Sequence, residues 1–242
     1  MKKINRLPLQ PKTLDVLGKR TRKVMAHPSP KGEAARAWAQ FDPQRVKADA
    51  DIKNTLTQMA SGLSRCMYCE DSAGTAVEHF WPKAKYPCLT FTWENHLLAC
   101  SACNNYKQDQ FPLHNDAPLL LDPTQDDPAA HLHYLPLMGA FTRRDAKGEA
   151  TIEVLQLNAR PMLRAGRRNA FEKLQLLLAA YDTAKQGADR KGCQRLERVI
   201  RAEPFGSMLE WLRQVAQGPL SDYVSAACQQ ALSRCPEVSG WV

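Results

Sequence analysis

Nowhere in the 242 residues is there a run of eighteen apolar residues, which removes a membrane-spanning helix. The basic opening residues are not followed by the apolar stretch of a secretory leader, so the expectation is a cytoplasmic chain with reduced thiols. No glycine-rich phosphate loop occurs, and any ATP-derived energy must then come from a partner. Internal repeats and low-complexity tracts are missing as well, which excludes solenoids and disordered linkers. What remains, with 44% hydrophobic and 24% charged residues, is an ordinary globular chain long enough for one or two domains and a sizeable core.

Acidic residues are scarce at one end. Residues 1–47 hold twelve Lys or Arg against three Asp or Glu, while the whole chain carries a formal charge of +8, so the remainder is close to neutral. Such asymmetry suits contact with phosphates; a solvated arm or a partner-binding tail remains open beside it. Pro8, Pro11, Pro28 and Pro30 favour an extended arm here.

The eight cysteines are not evenly used. Cys66/Cys69 and Cys100/Cys103 form two Cys-x-x-Cys pairs around thirty intervening residues. Two residues between thiolates let both point at one tetrahedral ion, and two such turns make the four-sulfur set that selects zinc or an iron–sulfur centre. All four positions are protein, so the site is structural, and metal binding there becomes folding energy. Disulfides or unrelated buried thiols are the other readings; reducing surroundings disfavour the disulfides. Cys88, Cys193, Cys228 and Cys235 have no spacing partner; Cys88 reads as a structural thiol and the other three as buried or idle.

Between the two turns lies a polar set. Val77 to Phe80 reads as the end of a short strand, with Glu78 and His79 on opposite faces. A histidine there can take a proton from water at neutral pH, its ordinary pKa lying near 6.5. The Glu78 carboxylate and the Asn104 amide oxygen are hard donors suited to magnesium or manganese, which can polarise a phosphodiester. Lys83 and Lys85, in the loop 82–92, can meet phosphate or simply be exposed. Trp81 and Trp93 either stack on bases or support the core. His96 either touches substrate or is structural, and His114 has no evident role.

These residues resemble the HNH nucleases, whose ββα-metal core is a two-stranded hairpin followed by a helix, often pinned by a four-cysteine zinc. The resemblance implies that His79 is the general base, that Glu78 stands where the family usually has a metal-binding Asp, and that Asn95 braces the loop and orients the base. It places Asn104 at the third, metal-ligating position and Lys107 at a frequent basic position on the following helix, where contact with nucleic acid is expected. Glu for Asp adds a methylene, and Asn at the third position favours magnesium or manganese over a catalytic zinc. More narrowly, the opening MKKINRLPLQP, the CMYCE and EHFWPK forms, WEN, LLLDPTQDDPAAHL and TIEVLQLN look like the PtuB-like HNH subunit of Septu-type and retron-associated anti-phage systems. That group works beside an ABC- or SMC-like ATPase (PtuA-like), which the resemblance implies as partner, with DNA or RNA as substrate.

Elsewhere the expectations concern support. Residues 33–41 and 43–61 read as helices, the second with Val46, Ile52, Leu56 and Met59 on its apolar face. Strands are expected at 131–135, 139–142 and 151–155, the last two joined across Asp145 to Gly148. His131 and His133 would then share a face. Helices follow over 163–186, 190–202, 205–216 and 221–233, with Leu174, Leu176, Leu177, Leu178 and Tyr181 on the apolar side of the first. Arg160, Arg164, Arg167 and Arg168 crowd the start of that helix, against its dipole, which points to an external phosphate or to acidic loops such as Asp126-Asp127.

The fold expectation is an α+β protein. A ββα-metal core with a four-Cys zinc site sits in a mostly helical frame with a small flanking sheet. The segments are a basic arm with helices (1–62), the nuclease core (63–115), a small β element (116–158) and a helical region (159–242). The expected activity is metal-dependent phosphodiester hydrolysis. A catalytically silent, zinc-stapled module that binds nucleic acid or an ATPase, and a purely structural adaptor, are the alternatives.

Overall fold

Pro11 stands in the first turn of a helix, where its missing N–H leaves no bond unmade, and α1 runs Pro11–Ala26. Pro30 opens α2, Pro30–Trp38, in the same way. In the computed structural model, which describes residues 1–241, the expected extended arm is therefore corrected from Pro11 onward: Pro11 and Pro30 start helices, while Pro8 and Pro28 lie outside them. Thr13, Leu17 and Val24 bury one side of α1 against the rest of the chain.

The third helix, α3, spans Lys47–Met59 rather than 43–61. Asp42 accounts for the late start, since its carboxylate accepts the Gln44 backbone N–H at 2.9 Å and forms a turn around Pro43. Ile52, Leu56 and Met59 are buried on α3, as the periodicity predicts.

A hairpin follows. β1 (Ala76–His79) pairs antiparallel with β2 (His96–Ala99), in a register that places His79 opposite His96 and Glu78 opposite Leu97. α4 (Ser101–Lys107) leaves β2 directly, with Cys100 as its N-cap. The order is strand, strand, helix, and the Cys-x-x-Cys turns lie at the two ends of the unit. A two-residue ladder of β3 (Leu113–His114) and β4 (Ala117–Pro118) closes the segment.

Residues 128–154 hold two of the three expected strands and depart from expectation at the third. α5 (Pro128–His131) precedes β5 (Leu132–Leu135), which pairs with β6 (Ala140–Arg143). Gly139 turns between those strands at φ +58°, and a Cβ there would lie 2.1 Å from the Arg164 carbonyl oxygen, so only glycine fits. The expected third strand is instead α6, Ala146–Val154. Asp145 caps it by accepting the Gly148 N–H at 2.9 Å, a signal that outweighs the β-branched run of Thr151 and Ile152.

The C-terminal part is helical: α7 (Pro161–Gln186), α8 (Arg190–Ala202), α9 (Met208–Gln217) and α10 (Ala226–Arg234). α9 starts three residues later than expected, and residues 221–223 form a separate short turn before Ser225 caps α10. Leu176, expected on the apolar side of α7, is 73% exposed, while Leu174, Leu178 and Tyr181 are buried. One apolar cluster runs from Ile4 to Trp241 through all these parts. Glu70, just after Cys69, ties the first Cys-x-x-Cys turn to the helices: its carboxylate accepts the Ser207 N–H at 3.0 Å and its carbonyl accepts that of Phe205 at 2.9 Å. Among the described residues no helix is long and apolar enough to cross a membrane.

Candidate active site

The four cysteines converge. Their sulfur atoms lie within 4.8 Å of one another, all four are buried, and the Cys69 and Cys100 sulfurs are 3.8 Å apart. A tetrahedral ion with Zn–S bonds of about 2.3 Å places its ligand sulfurs about 3.8 Å apart, so the cage fits zinc. Neighbouring thiols that donate to Cys100 hold it well below its ordinary pKa, and the Cys103 N–H adds a bond at 3.4 Å. The Arg160 guanidinium reaches to 3.5 Å from Cys103 Sγ, a cation set against thiolate charge. Among the described residues this is the one cluster of His, Cys, Asp or Glu side chains grouped closely enough for a metal.

A separate cleft of about 300 Å³ opens along β1. Because β1 is an edge strand with a single neighbour, three consecutive residues, Val77, Glu78 and His79, all line it. Pro82, Lys83 and Ala84 of the following loop, Asn104, Asn105, Gln108 and Asp109 at and beyond α4, and Trp38 of α2 complete the wall.

His79 is 5% exposed, and its Nε2 donates to the Thr90 carbonyl oxygen at 3.0 Å. That bond requires the proton on Nε2, so Nδ1 carries the lone pair. Nδ1 has no partner in the protein and is not among the buried orphan atoms; it borders the cleft. Burial, followed by the neighbouring His96 and Lys83, pushes the His79 pKa well below the usual imidazole value, and the ring is neutral at pH 7.

Glu78, the neighbouring strand residue, lines the same cleft and is 4% exposed. Its Oε1 pairs with Lys107 Nζ at 2.6 Å, and the same Nζ donates to the His79 carbonyl at 2.8 Å. Burial pushes the carboxyl up and the ammonium down, and each partner opposes the other's shift, which leaves a buried ion pair. Lys107 is fully buried, so the expected nucleic-acid contact is corrected: the side chain ties α4 to β1 from inside.

Asn95 braces the loop. Its Oδ1 accepts the Trp81 N–H at 2.6 Å, and its Nδ2 donates to the carbonyls of Trp81 and Leu89, both at 3.0 Å. Asn104, half-buried, faces the cleft without being held elsewhere by its side chain. Glu78 and Asn104 can therefore offer oxygens to a hard cation in a cleft with room for its waters, and Asp109 stands on the same wall.

Other predicted positions separate. Lys83 lines the cleft, whereas Lys85 is exposed outside it. Arg167 is 2% exposed and its Nη1 donates to the carbonyls of Gly139 (3.2 Å) and Leu157 (2.8 Å). As a phosphate contact it is corrected: backbone carbonyls, not an external anion, hold it. Arg164 Nε donates to the Met138 carbonyl at 3.0 Å and Arg168 points at the same oxygen, both only partly exposed. His131 and His133 do not share a face. His131 closes α5 and pairs through Nδ1 with Asp145 at 2.6 Å, while His133 approaches Arg144. Trp93 is buried, with Nε1 donating to the Leu7 carbonyl at 3.0 Å, and Trp81 packs on Phe111 with ring centroids 4.5 Å apart.

Among the lining residues, Trp38, Asn105, Gln108 and Asp109 are ones that the sequence did not single out as site members. Asn105 and Asp109 follow Asn104 on or just past a short helix, and helical spacing was the available signal. Trp38 comes from a helix remote in sequence, and nothing local marks it.

No family model matches the chain. It is 31% identical to the Septu protein PtuB of Bacillus mycoides (strain KBAB4) over 152 residues, which cover 50% of this chain and 51% of that one. It is 34% identical to the Septu protein PtuB of Bacillus thuringiensis over 112 residues, 44% of this chain and 41% of that one. The chain thus resembles PtuB-type Septu proteins, and it spans about half the length of the curated relatives it matches or less.

Proposed function

We propose that the protein is a metal-dependent HNH-type endonuclease, the effector of an anti-phage defence complex in which an ATPase subunit supplies nucleotide-driven control. One observation carries the reading: a neutral imidazole, with its Nε2–H committed to a backbone carbonyl, turns Nδ1 into a cleft that it shares with a carboxylate and an amide. The likeness to Septu proteins supports the defence role and the presence of a partner.

The residues act as follows. Nδ1 of His79 removes a proton from a water in the cleft as the water oxygen bonds to phosphorus and the P–O3′ bond breaks. The imidazolium is transient because its surroundings favour the neutral ring. The products are a 5′-phosphate and a 3′-oxygen that gains its proton from solvent. Glu78 and Asn104 would hold a magnesium or manganese ion, which supplies charge neutralisation at the scissile phosphate. Lys83 at the cleft edge attracts the phosphate backbone. Asn95 holds the loop that carries Thr90, and so fixes the base.

The test is cleavage of DNA and RNA by purified wild type and His79→Ala, with magnesium or manganese, alone and with the co-purifying ATPase. Metal-dependent cutting that disappears in His79→Ala while zinc content is unchanged supports the reading; cutting that survives removes His79 as base. The Glu78–Lys107 pair favours a second reading, in which a buried ammonium keeps the carboxylate from any metal and the module only binds. Tight nucleic-acid or ATPase binding without cutting under every condition selects it.

A further inference from the structure

Trp38 is the last residue of α2 and lies outside the hairpin-and-helix unit, yet it reaches the cleft. Its ring centroid is 4.2 Å from that of His79, at 73° between planes. Phe41 stacks on the indole at 4.6 Å and 18°, which covers one face. Phe91 and His96 stand at 5.8 Å and 5.4 Å from the same indole, and His96 also meets the His79 ring at 5.2 Å, so aromatic rings flank the imidazole on two sides. The helix that carries Trp38 is itself held: Ala34 is fully buried, and the nearly buried Glu33 carboxylate is bonded by Arg36 at 2.6 Å and 2.7 Å.

His79 has one hydrogen bond from its ring, to Thr90. A single bond fixes the direction of Nε2 but leaves the ring free to tilt about it. The perpendicular indole removes that freedom. A role as a stacking platform for a nucleobase is at odds with the geometry, because Phe41 already occupies one face and the imidazole abuts the ring.

We infer that Trp38 is a positioning residue of the nuclease centre, a wall supplied from outside the ββα unit that holds the His79 ring in one orientation with Nδ1 in the cleft. This rests on the nuclease reading for its catalytic consequence, but not for the orientation itself, which can be read without any reaction.

The experiment uses the full chain, zinc-loaded and free of magnesium, with 15N-labelled histidine. Long-range proton–nitrogen spectra report the tautomer of each imidazole, and His79→Ala assigns the His79 signals. Wild type and Trp38→Phe should show a single Nε2–H tautomer at His79. Trp38→Ala should keep that tautomer, which Thr90 sets, but show His79 ring resonances broadened by motion between orientations. In cleavage assays with manganese, Trp38→Ala should lower kcat by about 10- to 100-fold, the order of loss that follows from misplacing a reacting group by an ångström, with KM within about threefold of wild type. Trp38→Phe should recover most of the rate. Sharp His79 ring resonances and an unchanged rate in Trp38→Ala overturn the inference, and so does a rise in KM alone, which would mark a substrate contact. If Trp38→Ala loses its zinc or its fold, Trp38→Leu decides on the same two readouts. A wild type that never cuts removes the nuclease reading, while the spectra still decide whether Trp38 holds the ring.

Discussion

His79 and His96 face each other across the hairpin and donate their Nε2 protons to the same acceptor, the carbonyl oxygen of Thr90, at 3.0 Å and 2.8 Å. Their rings stand 5.2 Å apart and nearly perpendicular. One backbone oxygen therefore sets the tautomer of both, and the two rings disfavour each other's charge.

Acid should weaken this arrangement. Burial lowers the pKa of His96 to about 4, from an ordinary 6.5. The native state then binds fewer protons than the unfolded chain between those values, so stability is complete above pH 6.5 and is lost as pH falls toward 4. The loss attached to His96 is roughly 3 kcal/mol across that window. Denaturant melts of wild type and His96→Asn at pH 7 and pH 4.5 check it: the difference between the two proteins should shrink or reverse at the lower pH, since Asn cannot take up a proton. Parallel pH curves would contradict the buried neutral ring.

The Glu78–Lys107 pair should respond to removal of one partner. Lys107→Met leaves a carboxylate that is 4% exposed without its cation, a loss of about 3–5 kcal/mol in unfolding free energy at neutral pH. Because Glu78 is the proposed cation ligand, millimolar manganese should restore part of the lost melting temperature in Lys107→Met and much less in Lys107→Met/Glu78→Gln. Equal responses in both variants would remove Glu78 from the metal site.

Arg160 sets its guanidinium 3.5 Å from Cys103 Sγ and stacks over Tyr106 at 5.6 Å. A cation beside a four-thiolate cage offsets part of its negative charge and slows its opening. Arg160→Met should lose zinc to a chromogenic chelator about tenfold faster than wild type, the lower end of the usual effect of outer-sphere partners. Arg160→Lys should fall between. An unchanged release rate in Arg160→Met would mean that the contact is packing alone.

How much of this was legible follows from sequence distance. The Cys-x-x-Cys turns are local and their spacing carries them; the hairpin between them is what the family resemblance implies, and the N-cap at Cys100 appears only in the structure. Glu78, His79 and Asn104 come together in the cleft because one short unit holds all three. Lys107 and Arg167 were read as surface cations, since nothing in a single chain distinguishes a lysine that will find a buried carboxylate from one in solvent. Arg167 is held by the carbonyls of Gly139 and Leu157, a meeting that only the fold of residues 132–157 onto α7 brings about. Thr151 to Leu155 has a strand-like composition, and the Asp145 cap decided otherwise. Trp38 carries no local signal at all, its place being set by contacts with His79 and Phe41.

The two kinds of cation separate experimentally. Lys83 lines the cleft and is half-buried, so a phosphate contact there should appear in Lys83→Ala as weaker binding to nucleic acid and a salt dependence reduced by about one unit of slope. Arg167 is 2% exposed, its charge is centred 4.6 Å above the Phe141 ring, and burial lowers its pKa to about 10. Arg167→Met deletes two carbonyl bonds from the junction of the β5–β6 hairpin with α7 and should lower stability by about 2–4 kcal/mol, in line with the loss of hydrogen bonds from a buried charged donor. Its salt slope, measured at a temperature where the variant is folded, should equal that of wild type. A reduced slope in Arg167→Met would mean that the hairpin lifts to let the guanidinium reach phosphate, and an unchanged slope in Lys83→Ala would move the nucleic-acid path away from this cleft.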